Sequence, residues 1–537
     1  MPFRFLWVIF SLWVNFSFGQ QNWWIFFRDK GLESSTYYKN SASFLSPTSL
    51  QRRLNQGISI TEKDLPVSSF YVEQLKNIGL PVVMTSRWLN AAVVSIQPTE
   101  FQLSKLPFVS NVLPCKRYVK LSNTAFQPEI ASKSQQTDNQ LNMIGLKSFQ
   151  SQGFLGSGVN IAVFDDGYLN VDVNFAFQKI RQDGRFIATR DFVEGDSLVT
   201  DAGTHGATVL AILAGSVNDT FAGSAPNATY WLVRTENQGT EKHIEEYNWL
   251  AAAEWADSVG IDIISSSLGY NTFDSGEGDY SLADLNGKTA IITKAAEFAA
   301  SIGILVVNSA GNEGLSSWKK ITVPCDGDSV LCVGAVDPAE VRWYGCSIGP
   351  TADGRIKPNV MAQGSGTATI FPNGAFGTTS GTSVATPLIA GLAACLWQAN
   401  PTATNMQIFE AIQKSADRFA NPDTFYGNGI PDAIKADSIL KKIISYRINS
   451  NYTSKTSVFC YPNPVQKELF IQFRELNTSD KFQIELCNST GYILWKKESN
   501  DMIFRADLST IPAGFYWIRV SNTSGYFETI PVFKLSE

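Results

Sequence analysis

The chain has two histidines, His205 and His243, and a proton acceptor matched to neutral pH is most often an imidazole. His205 sits in Gly203-Thr204-His205-Gly206, at the head of an apolar run, where glycines let backbone approach a ligand closely. His243 sits in the polar run TEKHIEEY and is expected at the surface. That leaves His205 as the candidate base. Ser383 opens a second apolar run, GTSVATPLIAGLAACLW. A serine hydroxyl is a weak nucleophile and needs a base within hydrogen-bond reach. Asp165 follows directly on the apolar stretch VNIAVF (159–164). A carboxylate there could fix the imidazole tautomer and stabilise its protonated form. Asn312, after the turn at Gly311, offers a side-chain N–H. The Ser383 amide offers a backbone N–H at a helix start. Together these groups could activate a hydroxyl, attack a carbonyl and hold the oxyanion that forms.

Such distant residues need a scaffold that gathers them. Residues 141–445 alternate buried-type strands with helices. VNIAVF (159–164), ATYWLVR (228–234), IDIISSS (261–267) and GILVVNS (303–309) read as strands. EEYNWLAAAEWADSVG (245–260) and TKAAEFAASIG (293–303) read as helices closed by glycine. That rhythm predicts an α/β fold: a parallel sheet with helices on both faces. In such a sheet, strand C-terminal ends and helix N-termini share one edge, where ligands bind. Asp165, His205, Ser266 to Gly269, Asn312 and Ser383 all fall on that edge. No histidine follows position 243, so the serine-acid-histidine order of α/β-hydrolases is excluded. The two histidines are too far apart for an H-E-x-x-H zinc site.

Asp165-x-Gly167, Gly203-Thr-His-Gly206, Ser267-Leu268-Gly269, Ala310-Gly-Asn312 and Gly381-Thr-Ser-x-Ala-x-Pro387 occur in that order. In sequence and order these motifs resemble those of the subtilisin-like serine proteases, over residues 141–445. The resemblance implies a secreted serine endopeptidase with Asp165, His205 and Ser383 as catalytic triad and Asn312 as the oxyanion-hole asparagine. It also implies that Ser267, Leu268 and Gly269 pair with substrate backbone as an added strand. Required cofactors are not implied. Structural calcium is common in the family, but no D-x-[DN]-x-[DN]-G loop gives it a site here. Asp166 departs from the family's usual serine or threonine: it either raises the imidazole pKa or is a solvated side chain.

The flanks read as separate units. Residues 1–19 carry Arg4, the apolar run FLWVIFSLWV and small residues at Ser17 and Gly19, the pattern of a cleaved secretory signal. Residues 20–118 read as a small α+β unit that resembles subtilisin prosegments; it would assist folding and block the cleft, so the enzyme is made as a zymogen. Residues 119–140 read as a polar linker, with the maturation cut expected within 115–140. Residues 446–457 read as a second linker. Residues 458–537 hold short alternating strands that predict a small β-sandwich. Tyr461-Pro462-Asn463-Pro464, Asn488 with Gly491, and Asp507-Leu508 before Pro512-Ala513-Gly514 resemble the sorting domain of the type IX secretion pathway. That implies secretion machinery as a partner and a secreted or cell-surface location.

At 537 residues and a net charge of −6, the chain has room for several cores and no basic balance to advertise nucleic acid. Protein or peptide substrates are the expected partners, acted on by a monomer. Of seven cysteines, Cys325 and Cys332 are close enough to staple a loop, and Cys395 lies in an apolar helix as a core thiol. Sequence alone does not fix the pairing.

Overall fold

The computed structural model describes residues 22–32, 34–95, 97–99, 106–115, 137–218, 220–275, 278–453, 458–461, 465–473, 481–488, 492–501, 503–522 and 527–535. The expected signal segment, the residues at the expected maturation cut beyond Cys115 up to 136, Pro462 to Pro464, and Gly491 lie outside the described residues.

Strands β1 (Trp23–Phe27), β2 (Val82–Ser86), β3 (Ala91–Val94) and β4 (Val109–Pro114) form an antiparallel sheet in the order β2-β3-β1-β4. Alternation decides its two faces. Ile25, Phe27, Ala92 and Val94 point to its own core with Leu75 of helix α2 (Ser69–Asn77). Trp24, Ala91 and Val93 point the other way, into the core of the large body that follows. Helix α1 (Pro47–Gln56) opens on Ser46, whose hydroxyl accepts from Ser49 N, and closes on Gly57 in a left-handed conformation.

The large body is built on seven parallel strands: β5 (Asn160–Asp165), β6 (Phe186–Asp191), β7 (Thr229–Arg234), β8 (Ile263–Ser266), β9 (Leu305–Ser309), β10 (Val330–Val336) and β11 (Val360–Gln363). Their order is β11-β10-β9-β8-β5-β7-β6. The strand order turns back on itself about β5, and that switch point is where a ligand crevice opens. β8 and β9 are buried throughout, as a sheet covered on both faces requires. Helices α3 (His205–Ala214) and α6 (Thr382–Ala399) pack together on one side, and α4 (His243–Val259) packs against α5 (Ile291–Ser301). Helix α6 is long and apolar enough to cross a membrane, but it is the buried core helix of this body. Its Gly391 is required by a close approach: a Cβ there would lie 2.1 Å from Ser224 Oγ.

The first sheet and helix α1 bear on α4 and α5. Trp24 meets Tyr247 edge to face at 5.0 Å, and Trp88 meets Phe298 at 4.9 Å. Fully buried Asp257 on α4 receives Arg52 Nη2 at 2.5 Å, Arg53 Nη2 at 2.9 Å and Arg87 Nη2 at 2.7 Å. Glu254, one turn earlier, accepts from Ser86 Oγ at 2.6 Å and from the amides of Arg87 and Trp88.

The C-terminal unit is a body of its own. A three-stranded sheet (Val458–Tyr461, Glu468–Phe473, Ile503–Asp507) and a four-stranded sheet (Ile493–Ser499, Phe482–Asn488, Gly514–Asn522, Phe527–Lys534) enclose Leu469, Ile471, Ile484, Leu486, Ile518 and Val520. Every pair within those two sheets is antiparallel. The stretch expected as linker over 446–457 differs: helix Ala433–Thr453 runs into it. No glycine or proline stands between 433 and 457, so nothing local stops a helix once started.

Candidate active site

Asp165 is the last residue of β5, and Ser267 is the first residue beyond β8. Phe164 and Ser266 are register partners, so Asp165 and Ser267 leave the sheet side by side. His205 opens α3, and its Nδ1–H donates to Asp165 Oδ1 at 2.7 Å. This contact needs glycine at 206: a Cβ there would lie 2.3 Å from Gly167 O and 2.8 Å from Asp165 Cβ. Asp165 is fully buried, while the His205 side chain keeps 29% of its surface exposed, enough for a reactant to reach it.

Asp166 is not the solvated side chain that was one reading of it. It is buried, accepting from Gly206 N at 2.9 Å, from His205 N at 3.4 Å and from the Gln238 side chain. The imidazole thus has one carboxylate on its ring nitrogen and a second, Asp166, on the backbone amides at its base. Burial alone would lower the His205 pKa, but the charge and hydrogen bond of Asp165, with Asp166 added, raise it to about 9. Burial raises Asp165 to about 6 against the pull of His205. A general base works when neutral, so activity falls as pH drops through the imidazole pKa. Asp166→Asn removes one anion and should move the acid limb of kcat/KM down by less than about one pH unit, because Asp165 supplies the larger part of the attraction. A pH profile of kcat/KM for both proteins checks this; an unmoved limb would show that Asp166 is electrically silent.

Ser383 is the second residue of α6 and is buried. Its carbonyl accepts from Ser267 Oγ at 2.8 Å, which ties the head of α6 to the edge where Asp165 stands. Asn312 follows β9 and is exposed. Its Oδ1 is held by Thr382 N at 2.9 Å and Thr382 Oγ1 at 3.0 Å, so its amide N–H2 faces the opposite way. Gly381 reports the space between: a Cβ there would lie 2.9 Å from Ser383 Oγ, 3.6 Å from Asn312 Nδ2 and 3.7 Å from Ser383 N. Ser383 Oγ, Ser383 N and Asn312 Nδ2 therefore all lie within 3.7 Å of one point, which the missing side chain of Gly381 leaves unfilled. Sequence reading assigned Thr382 no role, although it lies in the same motif. The only signal was its adjacency to Ser383.

His243, expected at the surface, is buried. Its ring lies 3.8 Å from that of Phe273, and it bonds Glu246 one turn on and Gly278 O at 3.1 Å. Aromatic rings and a carbonyl supplied by the loop after β8, with the Glu246 carboxylate of its own helix, outweigh the polar character of its neighbours in sequence. Leu268 and Gly269 continue from Ser267; the Leu268 carbonyl accepts from Asn308 Nδ2 at 2.8 Å and Ser309 Oγ at 3.2 Å.

Residues 156–429 match the subtilase family, half of the chain. Subtilisin NAT of Bacillus subtilis subsp. natto is 32% identical over 295 residues, 54% of this chain and 68% of the relative. The chain belongs to the subtilase family. Subtilisin of Bacillus pumilus is also 32% identical, over 94% of its length, and alkaline elastase YaB of Bacillus sp. (strain YaB) is 28% identical, over 68% of its own. This subtilase is a serine endopeptidase, a hydrolase of peptide bonds. Its residues 22–136 match a Bacteroidota propeptide domain of peptidase S8, and residues 460–530 match a secretion-system C-terminal sorting domain. The sorting domain marks the subtilase for type IX secretion, to the cell surface or the extracellular space. As for calcium, among the described residues no group of three or more His, Cys, Asp or Glu side chains is arranged to hold a metal ion.

Proposed function

We propose that this subtilase cleaves proteins and peptides with Ser383 as nucleophile, His205 as general base and then acid, and Asp165 as the group that orients and stabilises the imidazole. The observation that carries the reading is the 2.7 Å Asp165–His205 contact at the sheet's switch point, on the same edge to which Ser267 Oγ ties the Ser383 carbonyl at 2.8 Å. His205 takes the Ser383 proton as Oγ attacks the substrate carbonyl, and returns it to the leaving amine. The developing oxyanion sits between Asn312 Nδ2 and Ser383 N. Substrate backbone pairs with Ser267, Leu268 and Gly269. The chain acts as a monomer, made as a proenzyme that is cut between residues 115 and 140.

A fluorophosphonate probe tests this directly, since it reacts only with an activated serine. Secreted wild type should label at one site, mapped by mass to Ser383, and Ser383→Ala should not label at all. Equal labelling of the two would move the nucleophile elsewhere, and no labelling of either would describe a scaffold that binds without turnover.

A further inference from the structure

Lys357 is a buried cation that the catalytic reading leaves without a task. It is 2% exposed, just ahead of β11. Its Nζ donates to Gly327 O at 2.6 Å, Val330 O at 2.8 Å and Asn359 Oδ1 at 2.9 Å. An ammonium has three N–H donors, and here three oxygens meet them; a neutral amine would leave one short. Burial, and after it Arg355, pull the Lys357 pKa down to about 7, while Asp326, Glu297 and Asp328 pull it back up. None of those carboxylates bonds it. Asp326 is engaged by Thr293 Oγ1 at 2.6 Å and Gly287 N at 2.7 Å, and Glu297 by Ser329 N at 2.7 Å. What surrounds the ammonium is therefore a ring of neutral dipoles, two backbone carbonyls and a side-chain amide, the donor set a hard metal ion takes.

Two of the three oxygens belong to the loop between Cys325 and Cys332, which are joined by a disulfide. That loop backs the segment after β8. Cys325 Sγ lies 3.1 Å from Ser309 O, and Val323 and Tyr270 exchange backbone bonds at 2.9 and 3.0 Å. Thr322 Oγ1 would be 2.1 Å from a Cβ on Gly269, so the two segments touch there. Family resemblance suggests structural calcium, yet this oxygen cage is filled by the chain itself, and no carboxylate oxygen is among its three acceptors.

We propose that Lys357 serves as a built-in cation that fastens the 325–332 loop in place of a metal ion, and that truncating it opens a site for a monovalent cation. The ligand is identified by the cage: a small hard ion such as potassium or sodium, coordinated by Gly327 O, Val330 O and Asn359 Oδ1. Removing the lysine leaves those oxygens without a donor, and an ion that binds only the folded state restores stability by mass action.

The test compares thermal unfolding of the full chain, kept uncut by Ser383→Ala, with Lys357 as in wild type, Lys357→Ala or Lys357→Met, just below pH 7, in potassium, sodium or tetramethylammonium chloride at equal ionic strength. In tetramethylammonium chloride both variants should lose roughly 5–10 °C. Potassium or sodium should return at least half of that loss to the alanine variant and none to the methionine variant, whose stem fills the cage. Wild type should respond to none of them. The proposal is overturned if the alanine variant unfolds with wild type, or if tetramethylammonium rescues it as well as potassium does. Should the alanine variant not accumulate, reductive methylation of wild type decides. Lys357 should stay unmodified while exposed Lys288 and Lys294 react, and surface-like modification of Lys357 overturns the cage.

Discussion

Ser383→Ala should lower kcat on a peptide substrate by about 10⁶-fold with KM little changed, the scale set by subtilisin itself. That corresponds to on the order of 8 kcal/mol of transition-state stabilisation. His205→Ala should cost about the same, and the double variant scarcely more, because nucleophile and base act as one device. The contrast with Asn312→Ala separates this from simple damage. In the proposed mechanism Asn312 contributes one of two oxyanion donors, so its loss should cost only about 10²–10³-fold, again on the scale of subtilisin's own asparagine. Steady-state kinetics on one chromogenic peptide reads all four. Near-normal turnover by the histidine variant would remove His205 from the mechanism.

Asp257→Ala should have the largest effect away from the site. Three arginines from the propeptide region converge on this one fully buried carboxylate. Their Nε atoms already lack partners among the described residues, as does Arg53 Nη1. Taking away one partner of a buried ionic cluster costs ~3–5 kcal/mol, since the opposite charges remain buried and unpaired. In a Ser383→Ala background, which would keep the proenzyme uncut, Asp257→Ala should expose helix α1 to hydrogen exchange while the central sheet stays protected. In the active background, the yield of secreted active enzyme should fall. Unchanged protection of residues 47–56 would mean that the apolar contacts of Trp24 and Trp88 alone hold the propeptide in place.

Much of this was legible beforehand. Strands β5, β7, β8 and β9 are unbroken apolar runs, and a doubly covered parallel sheet demands such runs. Strands β6 and β11 were not foreseen. FIATRD carries two charges and sits at the sheet margin, and VMAQ is too short to stand out from its loops. Strand β10, VLCVGAV, is as apolar as any, yet it was not foreseen either. The candidate site residues could be put on one edge beforehand because motifs at strand ends and helix starts share an edge in any sheet of this class. His243 and Asp166 were misjudged or left open for the opposite reason. Their burial depends on Phe273 and Gln238, partners that only tertiary folding brings near. The helix that crosses residues 446–453 was hidden by composition, since asparagine and serine suggest a linker while breaking nothing.

The face of α4 and α5 under the propeptide carries a consequence for handling the enzyme. Tyr247, Leu250 and Phe298 lie there beside Asp257 and Glu254, all matched by the segment that maturation removes. A processed enzyme would show water a greasy, acidic patch that its precursor hides. Retention on a phenyl resin, adsorption to vessel walls and clumping in storage should therefore rise as the product ripens, even where peptide turnover stays constant.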